Sequence, residues 1–203
     1  MRSMRFIWMW MPVAMAVAVM AVPMQAQGAA ALQTVETQVN KVLKTMSEPG
    51  FKDQPEDVKI GKIRAIVNEI FDYAELSRRT LGREWGKFNP GQQAEFVKLF
   101  SDLLEKTYAD RLLSYSDEKV VFDKESQLRE DQVEVTSSVV TADGKKIPLD
   151  YRMVRKEGGW RVYDVIIEGV SLVKNYRDQF RDILAKQTPE EVLKVLREKA
   201  TKG

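Results

Sequence analysis

One stretch, residues 158–172, limits the possible folds more than any other part of this 203-residue chain. Gly158 and Gly159 permit the positive φ angles of a tight turn. Nearly every residue from 160 to 167 is aromatic or β-branched, a composition typical of a β-strand. Strand alternation assigns apolar residues to both faces, with Trp160, Val162 and Ile166 on one and Tyr163, Val165 and Ile167 on the other. We therefore expect a strand that is covered on both sides.

A helix is predicted directly after this strand. Glu168 and Gly169 interrupt the apolar run, and glycine permits a sharp change of direction. Beyond them, apolar residues recur at intervals of three and four, a spacing typical of one helix face. These residues are Leu172, Val173, Tyr176, Phe180, Ile183 and Leu184.

Two blocks of residues carry a resemblance to a known family. The first block spans 160–180 and contains Glu168-Gly169-Val170-Ser171-Leu172, then Asn175-Tyr176-Arg177. The second block contains the segment 90–108 and, before it, Phe71-Asp72-Tyr73 and Leu81-Gly82-Arg83-Glu84-Trp85. Together they resemble the toluene-tolerance (Ttg2/MlaC) family. The resemblance covers most of the chain, from Ile70 to the C-terminal helix.

Members of that family are periplasmic phospholipid-binding proteins. They hold acyl chains between a sheet and helices, and pass lipid between an outer-membrane lipoprotein complex and an inner-membrane ABC-type complex powered by ATP hydrolysis. The resemblance therefore implies a soluble periplasmic lipid carrier with an apolar cavity, and we expect a monomer. Some relatives are encoded with hopanoid synthesis, so a polycyclic lipid is the alternative ligand to a phospholipid.

The N-terminus has the features of a secretory signal peptide. Arg2 and Arg5 precede an apolar run at 6–22, and small residues follow. The run is about the minimum length for a transmembrane anchor, which is the alternative. No basic stop-transfer cluster follows it, however, and Pro23 interrupts it before the small residues. We therefore expect export to the periplasm.

Cleavage of this leader is expected after Gly28, which places Ala26 at the −3 position, with cleavage after Ala26 as the alternative. The predicted leader is 1–28, and the predicted mature protein is one domain at 29–203. That domain has about 175 residues, enough for a sizeable core without disulfides.

Composition excludes several classes of function. The chain contains no His and no Cys, so it lacks Ser-His-Asp triads, thiol nucleophiles, disulfides and most zinc or iron sites. It has 32 basic and 30 acidic residues, and the leader contains two of the basic ones, so the mature chain is formally neutral. Neutrality argues against a nucleic-acid partner. We expect no metal and no cofactor.

A Ser-Lys pair or a carboxylate pair could still act in catalysis, although chance pairing is common among 30 acidic residues. Asp164 and Glu168 stand out because they lie at an otherwise apolar strand. A secreted hydrolase that uses them is an alternative hypothesis, and we expect no enzyme. The candidates include Glu84, Asp110, Asp150, Asp164 and Glu168.

The first half of the chain predicts helices. Apolar residues recur at helical spacing across 32–46, in an amphipathic helix that ends before Gly50. A second apolar pattern spans 58–76, where Gly61 weakens the case for one unbroken helix. Segment 81–88 follows as a connector. The candidate hinge glycines of the chain are Gly82, Gly86 and Gly169.

The clearest predicted helix starts after Asn89. Asn89 can cap the first free N–H groups, Pro90 suits the first helical position, and Gln92 completes a capping box. A wide stripe of bulky apolar residues follows, which indicates deep burial or one wall of an apolar cavity. The stripe consists of Phe96, Leu99, Phe100, Leu103, Leu104, Tyr108 and Leu112. A second capping box, 188–191, opens the last helix.

The segments between these helices predict an antiparallel meander. Asp143-Gly144 is a hairpin turn signal, and Pro148 argues for an edge position or a bulge. The strand candidates are 120–122, 132–141, 145–155 and 160–167. Since helices precede and follow the strands, the predicted fold class is α+β, with a sheet of about four strands packed against several helices.

The expected lipid-contacting residues come from the apolar faces of this helix and sheet, with Val170 at the matching family junction. A filled core would produce the same periodicities, so an envelope adaptor without a ligand is a further alternative. The expected contacts are Phe100, Leu103, Leu104, Tyr108, Leu112, Leu149, Tyr151, Met153, Trp160, Val162, Val165, Ile166, Ile167, Val170 and Val173.

Overall fold

The computed structural model describes residues 25–113 and 118–201. Its helices are α1 Gln25–Met46, α2 Glu56–Asn68, α3 Tyr73–Leu81, α4 Pro90–Leu113, α5 Leu172–Leu184 and α6 Pro189–Thr201, with a 3₁₀ helix at Gly82–Lys87. Its strands are β1 Lys119–Arg129, β2 Gln132–Val140, β3 Lys146–Lys156, β4 Gly159–Ile167 and β5 Val170–Ser171. Most of the predicted leader, residues 1–24, lies outside the described residues, so the signal peptide and the domain boundaries stay predictions.

The five strands form one antiparallel sheet in the order β1-β2-β3-β4-β5. This confirms the predicted meander and the α+β class, and adds the two-residue strand β5. Strand β1 has 11 residues rather than the three predicted at 120–122. Its polar, mostly exposed continuation gives no hydrophobic signal, and pairing with β2 holds it in the sheet.

A β-bulge in β4 changes which residues share a face. Met153 lies opposite Val162 and Arg152 opposite Asp164, so Tyr163 is an extra residue on β4. One inserted residue reverses the alternation beyond it. The predicted grouping of Ile166 with Trp160 and Val162 is therefore wrong. The residues of β4 that pack in the same apolar cluster are Trp160, Val162, Val165 and Ile167.

The expectation that β4 is covered on both sides is confirmed. Tyr163, Asp164 and Ile166 are buried although they lie outside that cluster. Helices α3 and α5 both pack against β4. The guanidinium carbon of Arg79 on α3 lies 3.8 Å from the centre of the Tyr163 ring.

The predicted helical region 58–76 is two helices. Gly61 lies inside α2, and the break comes at 69–72 instead. The cause is tertiary: Val162 N–H donates to the Ile70 carbonyl at 2.8 Å, and Asp72 N–H donates to the Val162 carbonyl at 2.9 Å. Asp72 then caps α3 by accepting from Glu75 N–H at 2.8 Å.

Pro148 lies on β3 between two paired strands, so the predicted edge position is wrong. It faces Ser138 on β2, with no register shift at that point. Next to it, Ser137 N–H donates to the Asp150 carboxylate at 3.1 Å, and the Ser137 hydroxyl donates to the Leu149 carbonyl. These side-chain bonds satisfy polar groups where proline offers no N–H to the sheet.

Both predicted capping boxes are confirmed. Asn89 N–H donates to the Gln92 side chain at 3.1 Å, and Gln92 N–H donates to the Asn89 side chain at 3.0 Å. Thr188 N–H donates to Glu191 at 2.7 Å, and Glu191 N–H donates to the Thr188 hydroxyl at 3.4 Å. Helices α4 and α6 therefore begin where local chemistry places them.

Two apolar clusters make up most of the described core. The helix cluster lies among α3, α4, α5 and α6, and comprises Leu76, Leu81, Phe88, Phe96, Leu99, Phe100, Leu104, Val173, Phe180, Leu184, Val192, Leu193 and Leu196. The sheet cluster lies between α1 and the sheet, and comprises Ala31, Val35, Ile70, Val133, Val135, Tyr151, Met153, Trp160, Val162, Val165 and Leu172.

Two glycines should respond oppositely to the same substitution. A Cβ at Gly61 or at Gly169 would meet nothing within 4 Å, but Gly169 has φ +81°. We expect Gly61→Ala to stabilise the protein by about 0.5 to 1 kcal/mol, since alanine favours the helix. Gly169→Ala should destabilise it by about 1 to 2 kcal/mol, because L residues are strained there. Urea unfolding of both variants measures the two effects, and equal signs would contradict this account.

Candidate functional site

The helix cluster and the sheet cluster meet along a seam marked by Phe71 and Tyr108. These two partly buried side chains each pack against both clusters. Phe71 precedes α3, and Tyr108 lies near the end of α4. Burial, with a smaller contribution from nearby Tyr176, raises the pKa of the Tyr108 phenol, so Tyr108 is neutral near pH 7. The seam is thus an uncharged contact between two apolar layers.

The structure brings twelve of the fifteen predicted contact residues together on the two sides of this seam. Those that pack in or against the helix cluster are Phe100, Leu103, Leu104, Tyr108 and Val173. Those that pack in or against the sheet cluster are Leu149, Tyr151, Met153, Trp160, Val162, Val165 and Ile167, together with Tyr108. Their contact with a ligand stays a prediction.

The other three predicted residues lie elsewhere. Ile166 is buried outside both clusters. Val170 is 56% exposed and pairs with Ile167, so it lies at the rim of the sheet cluster and not on a buried wall. The side chain of Leu112 lies outside the described residues.

Helix α1 packs an apolar face against the sheet cluster, and the predicted site did not include it. Ala31 and Val35 are at most 1% exposed, and Leu32 and Val39 pack beside them against the sheet cluster. The periodic stripe in α1 was visible in the sequence, but it has the same form as ordinary core packing. Only the tertiary arrangement places it opposite the apolar face of the sheet.

Asp164 holds the junction between β4 and α5. Its side chain is almost fully buried, accepts from the Ser171 hydroxyl at 2.6 Å and from Val173 N–H at 3.0 Å, and lies 3.5 Å from Arg152. Burial raises the pKa of Asp164, and these hydrogen bonds and Arg152 only partly offset it. Asp164 therefore positions the start of α5.

The other carboxylates considered for catalysis are dispersed. Glu168 is exposed at φ 50°, while Asp164 is bound inside the β4–α5 junction. Glu84 forms an ion pair with Lys87, and Asp150 accepts from Ser137 N–H. The side chain of Asp110 lies outside the described residues. Within 25–113 and 118–201, no cluster of His, Cys, Asp and Glu side chains is arranged to hold a metal ion.

The protein also has an open cleft of about 1080 Å³, which neither Phe71 nor Tyr108 lines. It is bordered by α3, the 3₁₀ helix, α5 and the ends of β1 to β3. None of the fifteen predicted contact residues lines it. Its cationic residues are Arg78, Arg79, Arg83, Arg129, Arg155, Lys156, Arg177 and Arg181, and its acidic residues are Glu75, Glu84 and Asp131.

Glu75 is the most buried of these acidic residues. It accepts from Arg78 at 2.8 Å and from Arg79 at 2.7 Å. Burial acts to raise the pKa of Glu75, but the hydrogen bonds from both arginines outweigh it and hold the pKa below its usual range. Glu75 is therefore ionised and orients part of the cationic surface.

The fold and the site define an α+β protein in which helices enclose one apolar layer against an antiparallel meander. Among the described helices, none is both long enough and apolar enough to cross a bilayer. The chain belongs to the MlaC family, since the family model described as MlaC protein matches residues 36–198. This confirms the resemblance carried by the two sequence blocks.

Individual proteins agree with this membership. The intermembrane phospholipid transport system binding protein MlaC of Haemophilus influenzae is 28% identical over 147 residues, which are 68% of this chain and 69% of that protein. Toluene tolerance protein ttg2D of Pseudomonas putida is 25% identical over 123 residues, which are 60% of this chain but only 57% of ttg2D.

A solved structure agrees as well. A phospholipid-binding protein from Ralstonia solanacearum, determined in complex with a phospholipid, superposes with a TM-score of 0.77 and 28% identity. The match covers 84% of this chain and 96% of that protein.

Proposed function

We propose that this chain is a periplasmic carrier that binds the acyl chains of a phospholipid and moves it between an outer-membrane and an inner-membrane complex. The observation that carries the proposal is the similarity, over 84% of the chain, to a protein solved with a phospholipid bound. The transport name of the Haemophilus influenzae relative supports the carrier role. The sequence-predicted leader supports export.

The seam is the proposed entry for the acyl chains. It is the one place in the described core where both apolar clusters share side chains, Phe71 and Tyr108. Acyl chains that separate the clusters there would exchange protein–protein apolar contacts for protein–lipid contacts. Such an exchange keeps apolar surface out of water, so opening the seam around a lipid needs little net exposure.

The energetics explain why a carrier has to enclose the chains. Exposing two acyl chains of about sixteen carbons to water would cost about 25 kcal/mol of free energy, at about 0.8 kcal/mol per CH₂. The carrier therefore has to cover nearly all of that surface during transit. The polar headgroup can stay in water, which requires no buried charge in the protein.

Native mass spectrometry of protein purified from the periplasm tests the proposal. We expect a mass increase that matches one phospholipid per chain, identified after organic extraction. A polycyclic lipid of the hopanoid type would retain the carrier role and change the ligand. Protein without any extractable lipid would overturn the proposal and favour an envelope adaptor with a filled core.

A further inference from the structure

The cleft bordered by α3, the 3₁₀ helix and α5 carries a charge that the lipid-carrier role does not use. Eight cationic and three acidic residues line it, which is a formal charge of +5, whereas the whole chain carries +2. The rest of the chain is therefore formally −3. Part of that negative charge lies beside the cleft, since Asp72 contacts Lys156, and Asp178 and Asp182 contact Arg181. The field at the cleft therefore comes from the cations that remain unpaired.

Only part of this charge is neutralised within the protein. Glu75 binds Arg78 and Arg79, and the Lys156 ammonium lies 3.3 Å from the Asp72 carboxylate. Arg83 and Arg155, by contrast, are exposed, and neither guanidinium forms an ion pair or hydrogen bond with another described side chain. The ion pairs hold the first group of cations, whereas Arg83 and Arg155 have no such partner among the described side chains.

We propose that this cleft docks an acidic segment of a partner protein, one that presents clustered Asp and Glu side chains. The proposal rests on the carrier function, because a carrier has to meet protein complexes to load and unload. Guanidinium groups match carboxylates through bidentate hydrogen bonds. The partly exposed Trp85 and buried Val154 add apolar surface to the same cleft, as expected for the core of a protein interface.

Size and shape favour a protein segment over other anions. The cleft is open to solvent and has a volume of about 1080 Å³, near the upper end of the range of about 300–1000 Å³ for pockets that enclose small ligands. A phosphate ion would occupy only a fraction of it. A projecting protein segment can enter the recessed cleft, whereas a flat membrane surface cannot follow its walls.

The cleft is also distant from Val170, the predicted lipid contact at the rim of the sheet cluster. Lys156 pairs with Gly159 at one end of β4, and Val170 pairs with Ile167 at the other end. The nine-residue strand between them spans roughly 25 Å. Changes in the cleft should therefore leave lipid occupancy unchanged, so failure of the docking proposal is distinguishable from failure of the carrier proposal.

The test is titration of the lipid-loaded protein with an oligoglutamate peptide of about eight residues, followed by amide chemical shifts and calorimetry. We expect the shifts to cluster at 78–86, 154–156 and 177–181, and the affinity to fall as salt rises. Arg83→Glu/Arg155→Glu should weaken binding roughly tenfold or more while lipid content stays at the wild-type level.

Lys52→Glu/Lys62→Glu is the matched control. It makes the same formal charge change at two exposed positions outside the cleft, Lys52 between α1 and α2 and Lys62 within α2. It should alter the affinity for the peptide less than about twofold. Equal losses in both variants would overturn the proposal in favour of general electrostatics. Binding of phosphate or of anionic vesicles at the cleft, with no binding of the peptide, would overturn it too, as would loss of lipid from the cleft variant.

Discussion

Val170→Glu will lower the amount of lipid that copurifies with the protein by roughly tenfold or more. Val170 is 56% exposed and pairs with Ile167, which packs against the sheet cluster. A bound acyl chain at this rim would have to desolvate the new carboxylate, and a penalty of about 1.4 kcal/mol is already enough for a tenfold loss. Lipid extraction and native mass spectrometry measure the effect.

The same substitution at Val121 provides the control. Val121 is also an exposed strand valine, at 43%, but it lies on β1 and belongs to neither apolar cluster. Val121→Glu should retain full lipid occupancy and a similar melting temperature, because exposed positions tolerate charge. If Val170→Glu folds normally and retains its lipid, or if both variants lose lipid equally, the rim is not where the ligand lies.

Asp164→Ala will lower the free energy of unfolding by about 3 kcal/mol, or roughly 9 °C in Tm. The change removes the acceptor for Val173 N–H and for the Ser171 hydroxyl inside a buried junction. Asp164→Asn is the matched variant, since its amide oxygen can still accept from Val173 N–H. It should lose only about 1 kcal/mol. Equal losses in the two variants would contradict this role for the carboxylate.

The stability that Asp164 contributes should fall as the pH rises. Because burial raises its pKa in the folded protein, the folded state holds the proton over a pH range in which the unfolded state has released it. Stability from this group is therefore fully present below the unfolded pKa and is lost as pH rises through the folded pKa. Asp164→Asn should remove this part of the slope, which unfolding at several pH values measures. An unchanged slope would show that other groups cause it.

The structure gives Asp164 a structural role at the junction between β4 and α5. Asp164 stood out in the sequence because a charge at an apolar strand is unusual. The same burial that made it conspicuous serves a structural purpose, since Asp164 fixes the start of α5 through Ser171 and Val173. A hydrolase that uses Asp164 with Glu168 would need two groups acting together, and Glu168 is exposed at the turn.

Local signals in the sequence determined several element boundaries. Strand β4 follows from its aromatic and β-branched composition, and α4 and α6 begin at capping boxes whose hydrogen bonds form as predicted. These features depend on residues within one or two turns of each other, so no knowledge of the fold is needed to recognise them. The two sequence blocks that resemble the family can likewise be recognised without knowledge of the fold.

Only the tertiary structure decided the features that depend on contacts between distant residues. Pairing with Val162 breaks the helical region after α2, and the bulge at Tyr163 transfers Val165 and Ile167 to the cluster of Trp160. The cationic cleft combines α3, α5 and strand ends, whose charges are dispersed along a nearly neutral sequence. Periodicity reports which residues are apolar, but the faces that meet are set by packing and by the register of the sheet.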